Sequence, residues 1–220
     1  MTRSRAINED QRAARRMAIL DAARAALTHQ PLEAVTMAGI ARASGLAKGT
    51  LYLYFDTREA LFLTLVEEEL SAWFDAVDAG LSDVARDGHD AVATLLGRSI
   101  AGQPLLPRLI AVLHTVLECN IDFATARAFK SWLFRRSLKT GASLEDVLGF
   151  LEPGAGMTLL LRVHALAIGF QHAANPAPVV REVIAHDPAL DVFSVDFVSG
   201  LTGTLRLLLA GWSQQENNDE

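Results

Sequence analysis

One cysteine, Cys119, stands in 220 residues. A single thiol excludes an internal disulfide, which suits a reducing, cytoplasmic setting, and inside an apolar helix it reads as a small buried side chain. Proline and glycine are also sparse, at seven and fifteen residues, while half of the chain is hydrophobic. That balance favours packed helices over disorder. The longest apolar run, Met157 to Phe170, is broken by Arg162 and His164 and falls short of the ~20 residues a spanning helix needs, so no membrane partner is expected. The N-terminus is polar and arginine-rich, without a hydrophobic signal region. Catalytic signatures are missing as well: no Gly-x-Ser-x-Gly elbow, no His-Glu-x-x-His pair and no paired cysteines. Gly154 and Gly156 lack the strand and further glycines of a nucleotide loop. The expectation is a chain that is not an enzyme, with no cofactor and no metal.

What is present is concentrated between Thr36 and Phe55. Met37, Ile40 and Ala41 fall at helical spacing behind Thr36, a residue suited to cap a helix N-terminus, so a short helix is predicted from about Thr36 to Ser44. Gly45 stops it, because glycine accepts the left-handed backbone of a tight turn, and a second helix is predicted from about Leu46 to Phe55. Leu46, Leu51 and Phe55 form its inner face. Lys48, Gly49, Thr50, Tyr52 and Tyr54 are left toward solvent or a partner, a set that suits DNA: charge for phosphate, room for close approach, and hydroxyls for base edges. An ordinary packed hairpin with two surface tyrosines has the same helical pattern.

Charge supports the first reading. The net charge of −6 conceals an asymmetry: residues 1–58 hold nine Lys/Arg against five Asp/Glu, and residues 59–220 hold eleven against twenty-one. The basic part contains the helical pair, and the acidic remainder is repelled by DNA.

The string Thr-x-x-x-Ile-Ala-x-x-Ser-Gly-x-x-Lys-Gly-Thr-Leu-Tyr-x-Tyr-Phe, followed by Thr-Arg-Glu-Ala-Leu, closely resembles the N-terminal DNA-binding domain of the tetracycline-repressor (TetR) family, over roughly Ile19 to Leu65. The resemblance implies an all-α fold: a three-helix helix-turn-helix domain at 1–58 and a C-terminal helical ligand-binding and dimerisation domain at 59–220. It implies a homodimeric regulator of transcription on double-stranded operator DNA, usually a repressor released by a small-molecule effector. DNA-contacting positions carry over to Thr36, Lys48, Gly49, Thr50, Tyr52, Tyr54 and Arg58. The alternative is a regulator without a small-molecule ligand, controlled by a protein partner or constitutive. Three positions depart from the family pattern. Ala47 stands where a hydroxyl residue often caps the recognition helix, Gly39 replaces a common acidic residue, and His29-Gln30-Pro31-Leu32 lacks the usual glycine and aromatic.

Along the chain, Met1 to Ile7 reads as a mobile arm, and Asn8 with Gln11 as the capping-box start of a helix ending near Thr28. Arg12, Arg15 and Arg16 lie near the DNA backbone or on a solvated face. Asp56 or Thr57 caps a long connector helix with Leu61, Phe62, Leu65, Val66, Leu70, Trp73, Val77 and Leu81 at three- and four-residue spacing. After a loop at Asp83 to Asp90, helices are expected at about 90–101, 104–120 and 122–151. In the last of these Phe123, Phe129, Leu133 and Leu138 point inward, and Lys130, Arg135, Arg136 and Lys139 outward. Two apolar helices follow at about 157–174 and 191–213, joined by a Pro-rich stretch with a short helix near 179–185. The resemblance makes those two helices the homodimer seam, which Gly200, Gly203 and Gly211 fit by allowing close approach. Candidate ligand-binding residues are the polar groups in apolar segments: His114, Glu118, Trp132, His164 and Gln171, with Asn120 and His172 beside them. Internal pairing of His114 with Glu118 is the plainer alternative.

Overall fold

The computed structural model describes the backbone of residues 2–219 and the side chains of residues 9–215. Every regular element among these residues is helical. The N-terminal part consists of α1 (Thr2–His29), α2 (Met37–Ala43), α3 (Lys48–Leu51) and the first turns of α4 (Arg58–Leu81). The remainder is α5 (His89–Ala101), α6 (Leu106–Val112), α7 (Phe123–Val147), α8 (Ala155–Ala174), α9 (Pro178–His186) and α10 (Phe197–Asp219).

The short α2 survives because its N-terminus is capped and one face is buried. Thr36 Oγ1 accepts from Gly39 N at 3.1 Å, and Met37, Ile40 and Ala41 are buried below. Gly45, at φ 70°, lets Leu46 N return to Ala41 O at 2.8 Å and close the turn. The connector α4 starts at Thr57, whose hydroxyl accepts from Ala60 N. It buries Leu61, Phe62, Leu65 and Val66 toward the head, and Leu70, Trp73, Phe74 and Val77 toward the C-terminal core. Arg24 of α1 binds Glu68 and Glu69 of α4 at 2.8 and 3.1 Å and tethers the two helices.

Several expectations need correction. α1 begins at Thr2, so the predicted arm is helical and Asn8 is not its start; no proline or glycine interrupts Thr2 to Thr28. The second helix of the pair is α-helical only from Lys48 to Leu51, and turns carry the chain on to Tyr54. Ala47 offers no side-chain cap, which leaves this helix without the support that holds α2. The helix predicted at 104–120 is α6 followed by a π segment, Leu113–Leu117, and a 3-10 turn, Glu118–Asn120. Those changes of winding shift the side-chain register, so Cys119 is exposed, its thiol donating to His114 O.

On α7 the buried stripe is Phe129, Ser137, Thr140, Gly141 and Leu144, and Phe123 and Leu138 face out. Arg136 is drawn inward by Asp75 and Asp78, at 2.6 and 3.0 Å. Burial would raise the Asp78 carboxyl, but Thr140, Arg136 and Lys139 hold it below its ordinary value. At the α7–α8 crossing, a Cβ on Gly156 would collide with Gly141 O. The long helix expected from 191 begins at Phe197, because Pro188–Phe193 winds as a 3-10 segment capped by Asp187. Neither α9 nor that segment buries a side chain.

Candidate nucleic-acid interface and inner cavity

At the N-terminal end, Leu51 and Phe55 are buried and anchor the short α3 against the head, while Leu46 is half-buried. Above that anchor Lys48 and Gly49 are exposed, Thr50 is half-buried, and Tyr52 is 40% exposed with the Lys48 ammonium 6.0 Å from its ring. A Cβ on Gly49 would meet nothing within 4 Å, so the fold itself does not require glycine there. Tyr54 is half-buried, with the Arg12 guanidinium 6.0 Å from its ring, and Arg16 lies 5.1 Å over Phe55. Thr36 spends one lone pair on its cap and keeps its hydroxyl proton. Arg58 turns back: its guanidinium donates to Leu32 O and Val35 O at 3.4 and 3.3 Å and to Glu59 at 2.8 Å. In this arrangement it braces the turn before α2.

The second site is a cavity of about 150 Å³ lined by α4, α5, α6, the π segment, α7 and α8. Its walls include Leu70, Trp73, Phe74, Ile110 and Leu160, with His114, Lys130, Ser137 and His164 among the polar lining. His114 Nδ1 lies 3.0 Å from Glu118 Oε2, His114 Nε2 lies 2.9 Å from His164 Nε2, and Lys130 Nζ lies 2.6 Å from Glu118 Oε1. Burial would raise Glu118, but the bonds from Lys130 and His114 hold its carboxyl below the usual range. Burial, then the neighbouring charges of His114 and Lys130, push His164 down to about 4, so this imidazole is neutral near pH 7.

Residues 19–65 match the family model described as bacterial regulatory proteins, tetR family, and residues 67–216 match the tetracyclin repressor-like C-terminal domain. The chain belongs to the TetR family. No protein of curated function matches it. Membership makes this TetR-family chain a DNA-binding regulator of transcription, with operator DNA and a second copy of the chain as the partners the family points to. Among its described residues no single helix is long and apolar enough to cross a membrane.

The structure gathers three of the five ligand candidates of this TetR-family chain, His114, Glu118 and His164, into one relay at the cavity. Trp132 is half-buried and stacks on Phe129, with ring centroids 6.0 Å apart, outside the cavity lining. Gln171 lies elsewhere, in a separate groove of about 210 Å³ between the head and the C-terminal part, with His172 and Arg108. Asn120 bonds Val116 O. Sequence reasoning missed Ser137 and assigned Lys130 to a solvated face; a polar residue two turns from Lys130 on the same helix was the only signal. It also missed Arg108 of α6, which donates to Leu27 O and, at 2.8 Å, to Gln30 O at the C-terminal end of α1. Leu53, 75% exposed beside Tyr52, was missed as well.

Proposed function

We propose that this TetR-family chain is a repressor that leaves its operator when a small molecule fills the inner cavity. In this reading residues 1–58 read DNA, and residues 59–220 sense the effector and form the dimer. The observation that carries it is the set of exposed Lys48, Gly49 and Tyr52 with half-buried Thr50, mounted on buried Leu51 and Phe55, with open space over Gly49. Lysine meets phosphate, threonine and tyrosine meet base edges or phosphate, and a glycine the fold does not need leaves room for the DNA backbone. Thr36 and Tyr54 stand beside this set as further contacts, and Arg58 supports it from behind. Two subunits would place two such heads in successive major grooves of a near-palindrome.

Two links join the cavity to the head. α4 lines the cavity with Leu70, Trp73 and Phe74 and packs its first turns into the head. α6 lines the cavity with Leu106 and Ile110 and grips the end of α1 through Arg108. A ligand that favours one placement of these helices biases the spacing of the heads, and DNA biases the ligand site reciprocally.

The dimer seam is assigned to α8 and α10, within 157–174 and 191–213. Leu161 and Leu207 are 63% and 78% exposed there, and a Cβ on Gly203 or Gly211 would meet open space, features that support a covered face. Gly200 instead accommodates Phe170 of its own subunit.

The test is binding of the purified protein to the DNA upstream of its own gene at two salt concentrations, beside Tyr52→Ala. Tight, salt-sensitive binding that scrambled DNA does not compete, and that the variant loses, is the expected result. Equal affinity for any DNA would reduce the head to a basic helical domain.

A further inference from the structure

The cavity has an apolar body, and its lining carries the nitrogen-bearing side chains of His114, Lys130 and His164 but no carboxylate. Both Glu118 oxygens are engaged, Oε2 by His114 and Oε1 by Lys130. The donors are not exhausted. An ammonium carries three N–H groups, and Lys130 spends one on Glu118. Ser137 is 7% exposed, lines the cavity, and its hydroxyl has no hydrogen-bond partner among the described residues. That hydroxyl is free to donate to a ligand acceptor.

We propose that the cavity takes a small weak acid as its anion, the carboxylate held by Lys130, Ser137 and the His114–His164 pair, and a single ring or short alkyl body held by Leu70, Trp73, Phe74 and Leu160. The proposal rests on the reading of this cavity as the effector site and adds the chemical class. The lining holds no carboxylate, so an organic cation would meet the Lys130 ammonium and would have to draw Glu118 away from Lys130 or His114. Size is consistent: an apolar cavity of about 150 Å³ admits a benzene ring.

The histidine pair adds a signature. With Glu118 ionised, His114 Nδ1 carries a hydrogen, and one further hydrogen lies between the two Nε2 atoms. If His164 donates it, His114 is neutral. If His114 donates it, His114 is an imidazolium and the second nitrogen of His164 becomes a donor. An anion beside His164 favours the second arrangement, so binding draws in one proton. The ionisable groups around this pair are Glu118 and Lys130, while α4, α5 and α6 contribute only apolar lining.

The experiment is calorimetry of the full-length protein at pH 7 with benzoate, benzyl alcohol and benzylammonium, each in two buffers of different ionisation enthalpy. Benzoate is expected to bind about tenfold or more tighter than the other two, with proton uptake. Lys130→Met is expected to lose about tenfold and Lys130→Arg to recover most of it, while Ser137→Ala loses a smaller factor. Benzylammonium binding as tightly as benzoate, no binding by any of the three, or full benzoate affinity in Lys130→Met would overturn the proposal. Binding without proton uptake would remove the histidine pair from it. Benzoate that binds but leaves the operator complex intact would uphold the ligand class and overturn the release mechanism instead.

Discussion

The head and the cavity both present polar side chains, but they hold them in opposite ways. At the head, Lys48 and Tyr52 stand on a short helix whose underside, Leu51 and Phe55, is buried, and no ion pair engages Lys48 among the described residues. At the cavity, Lys130, Glu118, His114 and His164 are chained to one another within 3.0 Å. A surface built for a polyanion keeps its donors hydrated and ready, because phosphate replaces water at modest cost. At the cavity Glu118 and His164 are largely withdrawn from water while His114 and Lys130 stay about half exposed, so the withdrawn groups are satisfied by their neighbours and a ligand meets the donors left over. Recognition at the head is therefore read in exposure, and recognition at the cavity in residual hydrogen-bonding capacity.

The largest effect that would break this comparison is at the anchor. Leu51 is fully buried, and Leu51→Ala should cost the head about 2–5 kcal/mol, because apolar packing is removed and a void is left in its place. Operator binding should collapse in that variant while benzoate calorimetry stays near the parent value. Joint loss of both would mean that the two regions fold as one unit.

The next effect lies in the pH dependence of the cavity. His164 is held down to about 4, against an unfolded value near 6.5. Between those values the unfolded chain binds a proton that the folded chain refuses, so stability falls as pH drops from about 6.5 to about 4, by at most about 3 kcal/mol. Urea melts across that window should show the slope, and His164→Gln should flatten it. The Asp78 cluster adds a loss of its own at lower pH, as its depressed carboxyl is finally protonated.

Lys48→Ala sharpens the contrast from the other side. Taking one phosphate-binding ammonium from the head should weaken binding to all sequences alike and lower the salt slope by about one, with melting temperature unchanged. Tyr52→Ala should instead lose preference for the operator over scrambled DNA. An unchanged salt slope in the first variant, or a uniform loss in the second, would exchange the roles of the two residues.

The head was legible in the sequence because its signals are local. Thr36, Gly45 and Thr57 are caps and turn residues whose chemistry acts within four positions, and the structure uses all three in those roles. The cavity was only half legible because its partners are distant in sequence. His114 with Glu118 is one turn, but His164 is 50 residues away, and Lys130 reaches Glu118 from another helix. Helical periodicity cannot detect a change of winding either. The π segment at Leu113–Leu117 rotates everything after it, so Cys119 lies outside although regular α-helical spacing puts it inside. Gln171 departs for a related reason: it shares an apolar helix with His164, yet the far end of α8 faces the groove beside the head.

The smallest effect separates folding from recognition at one position. In Gly49→Ala the added methyl meets nothing within 4 Å, and alanine loses less backbone entropy than glycine in a helix. The variant should therefore be more stable, by up to about 1 kcal/mol. If DNA lies over this glycine, the same methyl occupies the space the backbone of the duplex needs, and operator affinity should fall while melting temperature rises. Opposite signs from one methyl group cannot arise from damage to the fold. Stability and affinity rising together would place the duplex away from Gly49 and shift the reading surface toward Tyr52 and Leu53.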